Sequence, residues 1–327
     1  MNGFTYHGGR LADAKIHFGN SDMPWLDLST GINPHAWPGS VSLPIDWRAL
    51  PDIRALEELE AAAAAYLTID RAHICAVPGT EIGLRILGDI LPGPAAYAGT
   101  SYRTYAEMFR QGRPIRSADV ATVEDATVVV ANPNNPDGRL TPRASLLGQL
   151  ERLRALSHWL VVDEAFADAN PEISLASHVN DAQPLIIFRS FGKFFGLAGV
   201  RLGFVLGPRP VIARYREKLG SWPVSTAGLA IGSAAYRDRG WIASMRRTLR
   251  ADADALDAIL SRRGFVALGA CPLFRLIQTD DAAALFERLA RRAILTRPFD
   301  YDPRWLRIGL PADRDALVRL DEALADG

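Results

Sequence analysis

Residues 189–204 read RSFGKFFGLAGVRLGF, and they follow directly on LIIF at 185–188. A short, wholly apolar run that ends in a Gly-flanked turn reads as a buried strand carrying a polar residue to the edge of a sheet. The polar residue is Lys193, with Phe194 and Phe195 beside it. An amine in apolar surroundings loses its proton more readily, and the neutral amine is the form that attacks an aldehyde. Ser190 lies three residues before Lys193 and Arg201 eight after it. Both are phosphate donors by chemistry, and Arg adds bidentate geometry. An isolated loop lysine is usually a surface residue. This lysine stands in a constellation that argues for chemistry instead.

Outward from this stretch, apolar strands alternate with helical segments. Helix 52–66 (with LEELEAAAAAYL inside it) leads to HICAVPG at 73–79, then to a helix over 80–90 with Thr80 as a plausible N-cap. PAAYAG reads as a strand, 103–111 as a helix, and ATVVVANP at 126–133 as a β-branched strand. Helix 142–156 precedes HWLVVDEAF at 158–166; LIIFRSF at 185–191 and VRLGFVLG at 200–207 complete the series. Such an alternation predicts an α/β, mainly parallel sheet covered on both faces. After about 245 the pattern becomes a long polar helix, a strand LFRLIQT, a helix at 281–292 and a short strand WLRIGL, which reads as a smaller α+β domain. The expected organisation is therefore an arm (1–45) packing on the small domain or a partner subunit, a large domain (46–244) and a small domain (245–327).

Open α/β sheets collect functional residues at the carboxyl ends of their strands. Three further ends carry unusual groups. Asp163 closes the strand in VVDEAF, and a buried carboxylate there needs a cationic partner such as a protonated ring nitrogen. A helix N-cap is the alternative reading of that Asp. In ANPNNPDG (131–138), Asn135 can donate to a ring oxygen from a turn stiffened by two prolines, though the same segment is compatible with a plain β-turn. VPGTEIG (77–83) opens a helix with Gly79 and Thr80, whose free N–H groups suit a phosphate. In SYRTY (101–105), an aromatic ring could stack on a flat cofactor or belong to the core.

Composition narrows the classes. The chain has 327 residues, 48% of them hydrophobic, enough for a substantial core. Lys plus Arg equals Asp plus Glu at 37 each, so no net charge recommends a nucleic-acid or polyanionic partner. Cys75 and Cys271 form no CxxC and no metal-ligand cluster, and read as buried thiols. No signal peptide and no apolar run near the roughly 20 residues of a membrane span is visible, so a soluble, cytoplasmic protein without a membrane partner is expected. Neither GxGxxG nor GxxxxGK[ST] is present, which counts against dinucleotide and P-loop sites.

Taken in order, NPNNPDG, VVDEAF and SFGKFFGLAGVRLGF resemble the signature segments of the fold-type-I pyridoxal-5'-phosphate (PLP) enzymes, the aspartate aminotransferase superfamily. The resemblance covers nearly the whole chain. It implies the three-layer, mainly parallel sheet of that fold with a smaller α+β domain, PLP as cofactor, and a homodimer. By the same resemblance Lys193 holds PLP as a Schiff base, Asp163 faces the pyridine nitrogen, Asn135 bonds the ring 3-oxygen and Tyr102 stacks on the ring. Gly79, Thr80, Ser190 and Arg201 hold the phosphate, and Arg307 in WLRIGL takes the substrate carboxylate.

Within the superfamily, YHGGR (6–10), DLSTGINP (27–34), SWPVS (221–225) and TRPFD look most similar to the histidinol-phosphate aminotransferase branch, and within it to the threonine-phosphate decarboxylases of cobalamin biosynthesis. The substrate implied is a phosphorylated amino acid, L-threonine O-3-phosphate, decarboxylated to (R)-1-aminopropan-2-ol O-2-phosphate. His7 would touch the substrate phosphate, Arg297 and Arg307 its anionic groups, and Gly31, Ile32 and Asn33 would line the pocket. An aminotransferase acting on a phosphorylated amine such as histidinol phosphate is the alternative, since either activity uses the same cofactor groups; a non-catalytic relative is a third reading. Several positions depart from the family's pattern. Phe166 stands where a Tyr is frequent, Gly192 where a Ser or Thr is, Leu50 where a Tyr reaches the neighbouring subunit's cofactor, and HGGR replaces HGGN.

Overall fold

The computed structural model describes residues 3–19, 23–91 and 93–325. The chain divides into two compact units, one formed by Ala36–Asn135 with Leu140–Ser244, the other by Met1–His35 with Pro136–Arg139 and Met245–Gly327.

The larger unit is built on a seven-stranded sheet. Its strands are β1 (Ile74–Val77), β2 (Pro94–Ala98), β3 (Gln111–Ile115), β4 (Thr127–Ala131), β5 (Leu160–Asp163), β6 (Leu185–Ser190) and β7 (Gly203–Leu206), in spatial order β1-β7-β6-β5-β4-β2-β3. The pairs from β6 through β5, β4 and β2 to β3 are parallel. Only β7 runs antiparallel, to both β1 and β6. Every residue of β1, β4, β5, β6 and β7 is buried, which is why these strands read as continuous apolar runs rather than alternating ones.

Register brings the candidate groups to one edge. Ala131 pairs with Asp163 and Asp163 with Phe188, so β4, β5 and β6 end within two residues of one another. Gly203 pairs with both Ser190 and Val77, so the end of β1 and the start of β7 join the same edge. The helix after β1, Thr80–Ile90, buries Leu84, Leu87 and Ile90. Thr80 is its first residue, not its N-cap; Gly79 occupies the cap position at φ 88 and no side chain caps the helix. Asp52 does cap the helix Ile53–Leu67, accepting from the Arg54 amide at 2.7 Å.

One stretch departs from the sequence reading. The helix expected over 103–111 shrinks to Tyr105–Met108, and Gln111–Ile115 forms β3 at the sheet's edge. Pro114 is tolerated there because an edge strand has one side without a ladder partner to donate to.

The smaller unit carries an antiparallel sheet of Arg297–Pro298, Trp305–Gly309, Phe274–Gln278 and Ala267–Leu268, in that order. Helices Ala282–Arg291 and Arg314–Ala325 belong to it. The N-terminal segment is less irregular than its composition suggests. It forms a helix, Leu11–Phe18, and a short strand, Leu26–Asp27, parallel to Ile294–Leu295. Phe4 and Phe18 pack on Phe286 with ring centroids 5.4 and 5.9 Å away. Residues 1–2, which open the sequence's expected arm, and 20–22 lie outside the described residues. Among the described residues no helix is long and apolar enough to cross a membrane. Both cysteines are buried free thiols, and burial pushes each up to about 12.

Candidate active site

The phosphate-type groups converge in the larger unit. Gly79 precedes the first turn of an eleven-residue helix, whose leading N–H groups have no intrahelical acceptor. Arg201 adopts a left-handed conformation (φ 54, ψ 53), which costs a non-glycine residue about 1 kcal/mol or more. Its guanidinium lies so close to Gly79 that a Cβ there would stand 2.7 Å from Nη2. A Cβ on Gly203, the partner of Ser190, would stand 2.8 Å from the Thr80 amide nitrogen. Gly79, Thr80, Ser190 and Arg201 therefore border one small polar cup. The φ of 88 at Gly79 is one that side chains rarely adopt, which favours glycine there.

Next to the cup stand the groups suited to a flat, positively charged ring. Asp163 is buried at the end of β5. Its Oδ2 accepts from the Tyr105 hydroxyl at 2.7 Å and its Oδ1 from the Ala165 amide at 3.0 Å. Burial raises its pKa; the bonds from Tyr105 and Ala165 and the charge of Lys193 oppose that rise without cancelling it. A buried carboxylate in this condition fits a cationic ring N–H. Lys193 sits in the turn Phe191–Phe194 directly after β6, with its ammonium 5.7 Å from the centre of the Phe166 ring. Phe166 thus gives the lysine an aromatic wall where a phenol would offer a hydrogen bond. Gly192 is also explained locally: a Cβ there would stand 2.7 Å from Cα of Ala198.

The loops that present Tyr102 and Asn135 are tied to each other and to the cup. Ser101 donates to Asn134 Oδ1 at 2.8 Å, and Asn134 Nδ2 donates to the Thr100 carbonyl at 3.2 Å. The Tyr102 and Thr104 hydroxyls both donate to Glu81, at 2.9 and 2.8 Å, in the first turn of the helix after Gly79. Burial alone would raise the Glu81 pKa, but these two bonds and Arg85 outweigh it and hold the carboxyl below its ordinary value.

Behind the edge lies an ion triad that sequence reasoning did not identify. Arg189 of β6, 2% exposed, donates to Glu164 at 2.7 Å and to Asp168. Glu164 also accepts from the Ser174 hydroxyl and the Leu175 amide, and Asp168 from the Tyr66 hydroxyl at 2.9 Å. The available signal was a charged residue inside the apolar run LIIFRSF, which a buried strand admits only with a partner. Tyr105 was missed as well.

The smaller unit gathers the anion-type groups. Arg297 and Arg307 are directly paired in neighbouring strands, so their side chains share a face. Both are buried. Arg307 donates to the Ser29 carbonyl at 2.8 Å and lies 5.0 Å over the Phe274 ring; Arg297 donates to the Tyr6 carbonyl at 3.0 Å and lies 4.8 Å over the Phe299 ring. Burial, and then the charge of Arg297, bring the Arg307 guanidinium down to about 9. Two adjacent buried cations suit an anion. His7 is exposed and follows Tyr6, whose carbonyl accepts from Arg297, while the Gly9 amide donates to the Ser29 hydroxyl at 2.8 Å. Gly31 and Asn33 are buried, Ile32 is half-buried, and Asn33 Oδ1 accepts from the His35 amide.

Lys193 beside Phe166, the buried Asp163 carboxylate and the close approach of Gly79, Thr80, Ser190 and Arg201 thus lie at one edge of the sheet, an arrangement that suits a flat cofactor carrying a phosphate. The chain belongs to the aminotransferase class I and II family, whose model matches residues 45–323. Among curated relatives, it is 41% identical to a threonine-phosphate decarboxylase of a Sinorhizobium species over 99% of each chain. It is also 41% identical to the threonine-phosphate decarboxylase of Pseudomonas aeruginosa, over 97% of this chain and 96% of that one. A solved histidinol-phosphate aminotransferase from Sinorhizobium meliloti, in complex with pyridoxal-5'-phosphate, shares the fold with a TM-score of 0.79 and 20% identity over 97% of this chain and 96% of that one.

Proposed function

We propose that this chain is a PLP-dependent carboxy-lyase that converts L-threonine O-3-phosphate to (R)-1-aminopropan-2-ol O-2-phosphate and CO₂, a step of cobalamin biosynthesis. The observation that carries the reading is the 41% identity to threonine-phosphate decarboxylases along essentially the whole chain. Transamination of a phosphorylated amine is the second reading, favoured by the fold shared with histidinol-phosphate aminotransferase but at half the identity.

The residues present fit PLP. Lys193 would hold its aldehyde carbon, Asp163 its ring nitrogen and Asn135 its 3-oxygen. Tyr102 would lie against the ring, and Gly79, Thr80, Ser190 and Arg201 would hold its phosphate. Bound PLP supplies an electron sink for the pair left when a bond to the substrate Cα breaks. The Asp163 carboxylate, at the end of β5, would favour a proton on the ring nitrogen. Lys193 Nζ returns a proton to Cα after CO₂ has left. Arg297 and Arg307 would take the substrate's anionic groups, with His7 at its phosphate and Gly31, Ile32 and Asn33 lining its pocket.

Incubation with threonine phosphate and no keto acid tests the reaction. Sustained CO₂ release is expected. Turnover that needs 2-oxoglutarate and forms glutamate would establish the aminotransferase instead. Lys193→Ala should abolish multiple turnover under either reading.

The same proposal includes a cytoplasmic homodimer. In its support, Val41 and Trp47 stand 92% and 79% exposed, and Leu50, Ile53 and Trp222 are exposed in the same unit, apolar side chains that a partner subunit would cover. Light scattering should give twice the chain mass, and Trp47→Asp should lower it.

A further inference from the structure

The Tyr105 hydroxyl has no part in the roles assigned above, yet it makes the shortest hydrogen bond to Asp163, 2.7 Å to Oδ2. Tyr105 is entirely buried at the start of Tyr105–Met108, its ring edge-on to Tyr102 at 5.9 Å. Its position is not left to packing alone. Glu81 receives both Tyr102 and Thr104, the residues three and one before it, and so clamps the loop that delivers Tyr105. With the Ala165 amide on Oδ1, each Asp163 oxygen has one donor from the chain.

We infer that Tyr105 is a positioning residue for Asp163: its phenol fixes the rotation of the carboxylate and keeps it anionic, so that the remaining lone pairs are presented to the cofactor's ring nitrogen. This rests on the PLP reading above. A fully buried carboxylate reduces its cost either by accepting hydrogen bonds or by taking up a proton. A protonated Asp163 could no longer stabilise a proton on the ring. The groups that face Asp163 are Tyr105, the Ala165 amide, Lys193, Glu164 and Tyr102. Tyr105 and Ala165 hydrogen-bond to it and Lys193 attracts it, all three favouring the anion; Glu164 repels it. Removing Tyr105 takes away the largest contribution opposing burial. The carboxyl then keeps its proton to higher pH.

Tyr105→Phe leaves the ring in place and deletes only the hydroxyl. The readout is the PLP dissociation constant, measured by absorbance titration of the cofactor-free protein from pH 5 to 9. Wild type should bind with an acid limb where Asp163 protonates. In Tyr105→Phe that limb should move up by about one pH unit, the size of a charge-assisted bond. Affinity above the limb should change far less, which loss of folded structure would not reproduce. In an Asp163→Asn background the hydroxyl deletion should have no pH-dependent effect. Should Tyr105→Phe not fold, 2,3-difluorotyrosine at 105 gives the opposite test: a stronger donor should move the limb down. An acid limb that stays put in these variants, or one that shifts equally in the Asp163→Asn background, overturns the inference. Wild type that binds no PLP overturns the reading beneath it, and sodium borohydride reduction of the mixture, leaving Lys193 unlabelled, would identify that failure separately.

Discussion

Arg307→Met and Arg189→Met each remove a buried guanidinium, and they should affect the stability of the cofactor-free protein very differently. Arg189 is held between Glu164 and Asp168 with 2% of its surface exposed. Without it two carboxylates remain buried with no cation between them. Removing one partner of a buried pair costs about 3–5 kcal/mol. At about 2–4 °C per kcal/mol for a unit of this size, Tm should fall by roughly 6–20 °C.

Arg307 is held in the opposite condition. Burial, and then the charge of Arg297 beside it, pull its guanidinium well below the ordinary arginine range, to about 9. At about 1.4 kcal/mol per pH unit, holding it charged costs roughly 5 kcal/mol. The bond to the Ser29 carbonyl offsets about 1.5–3 kcal/mol of that and the Phe274 ring about 2. Met keeps most of the apolar stem and discards the charge. The net change should lie within about 1 kcal/mol of zero, or be stabilising. The sign with pH follows from linkage. A cation whose folded pKa is depressed carries its full cost below that pKa, and the cost fades only as pH rises above about 9 toward the ordinary arginine range. Between pH 6 and 8 the difference between Arg307→Met and wild type should therefore be constant. Calorimetry of both variants without cofactor measures this. Threonine phosphate at about 100 times its Kd should stabilise the PLP-loaded wild type by about 2.7 kcal/mol and the loaded Arg307→Met variant hardly at all. A loss of Tm in Arg307→Met as large as in Arg189→Met would refute the reasoning, because Arg307 would then be a structural cation and not one awaiting an anion.

Two further outcomes follow from single positions. Gly79→Ala places a Cβ 2.7 Å from the Arg201 guanidinium in a backbone at φ 88, so PLP affinity should fall at least tenfold by absorbance titration while the cofactor-free Tm drops by only a few degrees. Asp163→Asn removes a carboxyl whose folded pKa is raised above 3.8; such a group stabilises the fold below that value and loses its contribution as pH rises through the folded pKa, so the variant should be more stable than wild type at pH 8 without cofactor and no more stable at pH 3.5, as melting curves at the two pH values would show.

That Lys193, Asp163 and Gly79 stand at the edge of the sheet was legible because each interrupts a pattern. A charged residue directly after a wholly apolar strand requires a reason, and a glycine before a helix reserves space. β3 was not legible, since QGRPI has neither a continuous apolar run nor alternation, and only an edge position accommodates its Pro and Gly. Arg297 and Arg307 came from resemblance alone. They lie ten residues apart, and their proximity is created by an antiparallel pairing in which one strand is two residues long, too short to have a period. Tyr105 offered nothing to distinguish it from a core tyrosine, because its partner is 58 residues away in the chain.

The doublets at the ends of β5 and β6 show where reading stops. Asp163-Glu164 and Arg189-Ser190 each place two polar residues side by side, and consecutive side chains of extended chain point to opposite faces. The faces divide the labour: Asp163 meets Tyr105, while Glu164 and Arg189 meet each other. Ser190, next to Arg189, is left on the side where Gly203 and Thr80 lie. Either carboxylate could have been the reactive one on chemistry alone. The backbone bond from the Glu164 amide to the Phe188 carbonyl continues the ladder one residue past Asp163 and fixes which face each acid takes. Exchanging the two, as Asp163→Glu with Glu164→Asp, keeps charge and composition while lengthening one arm and shortening the other. The exchange should therefore lose both the Tyr105 contact and the Arg189 pair.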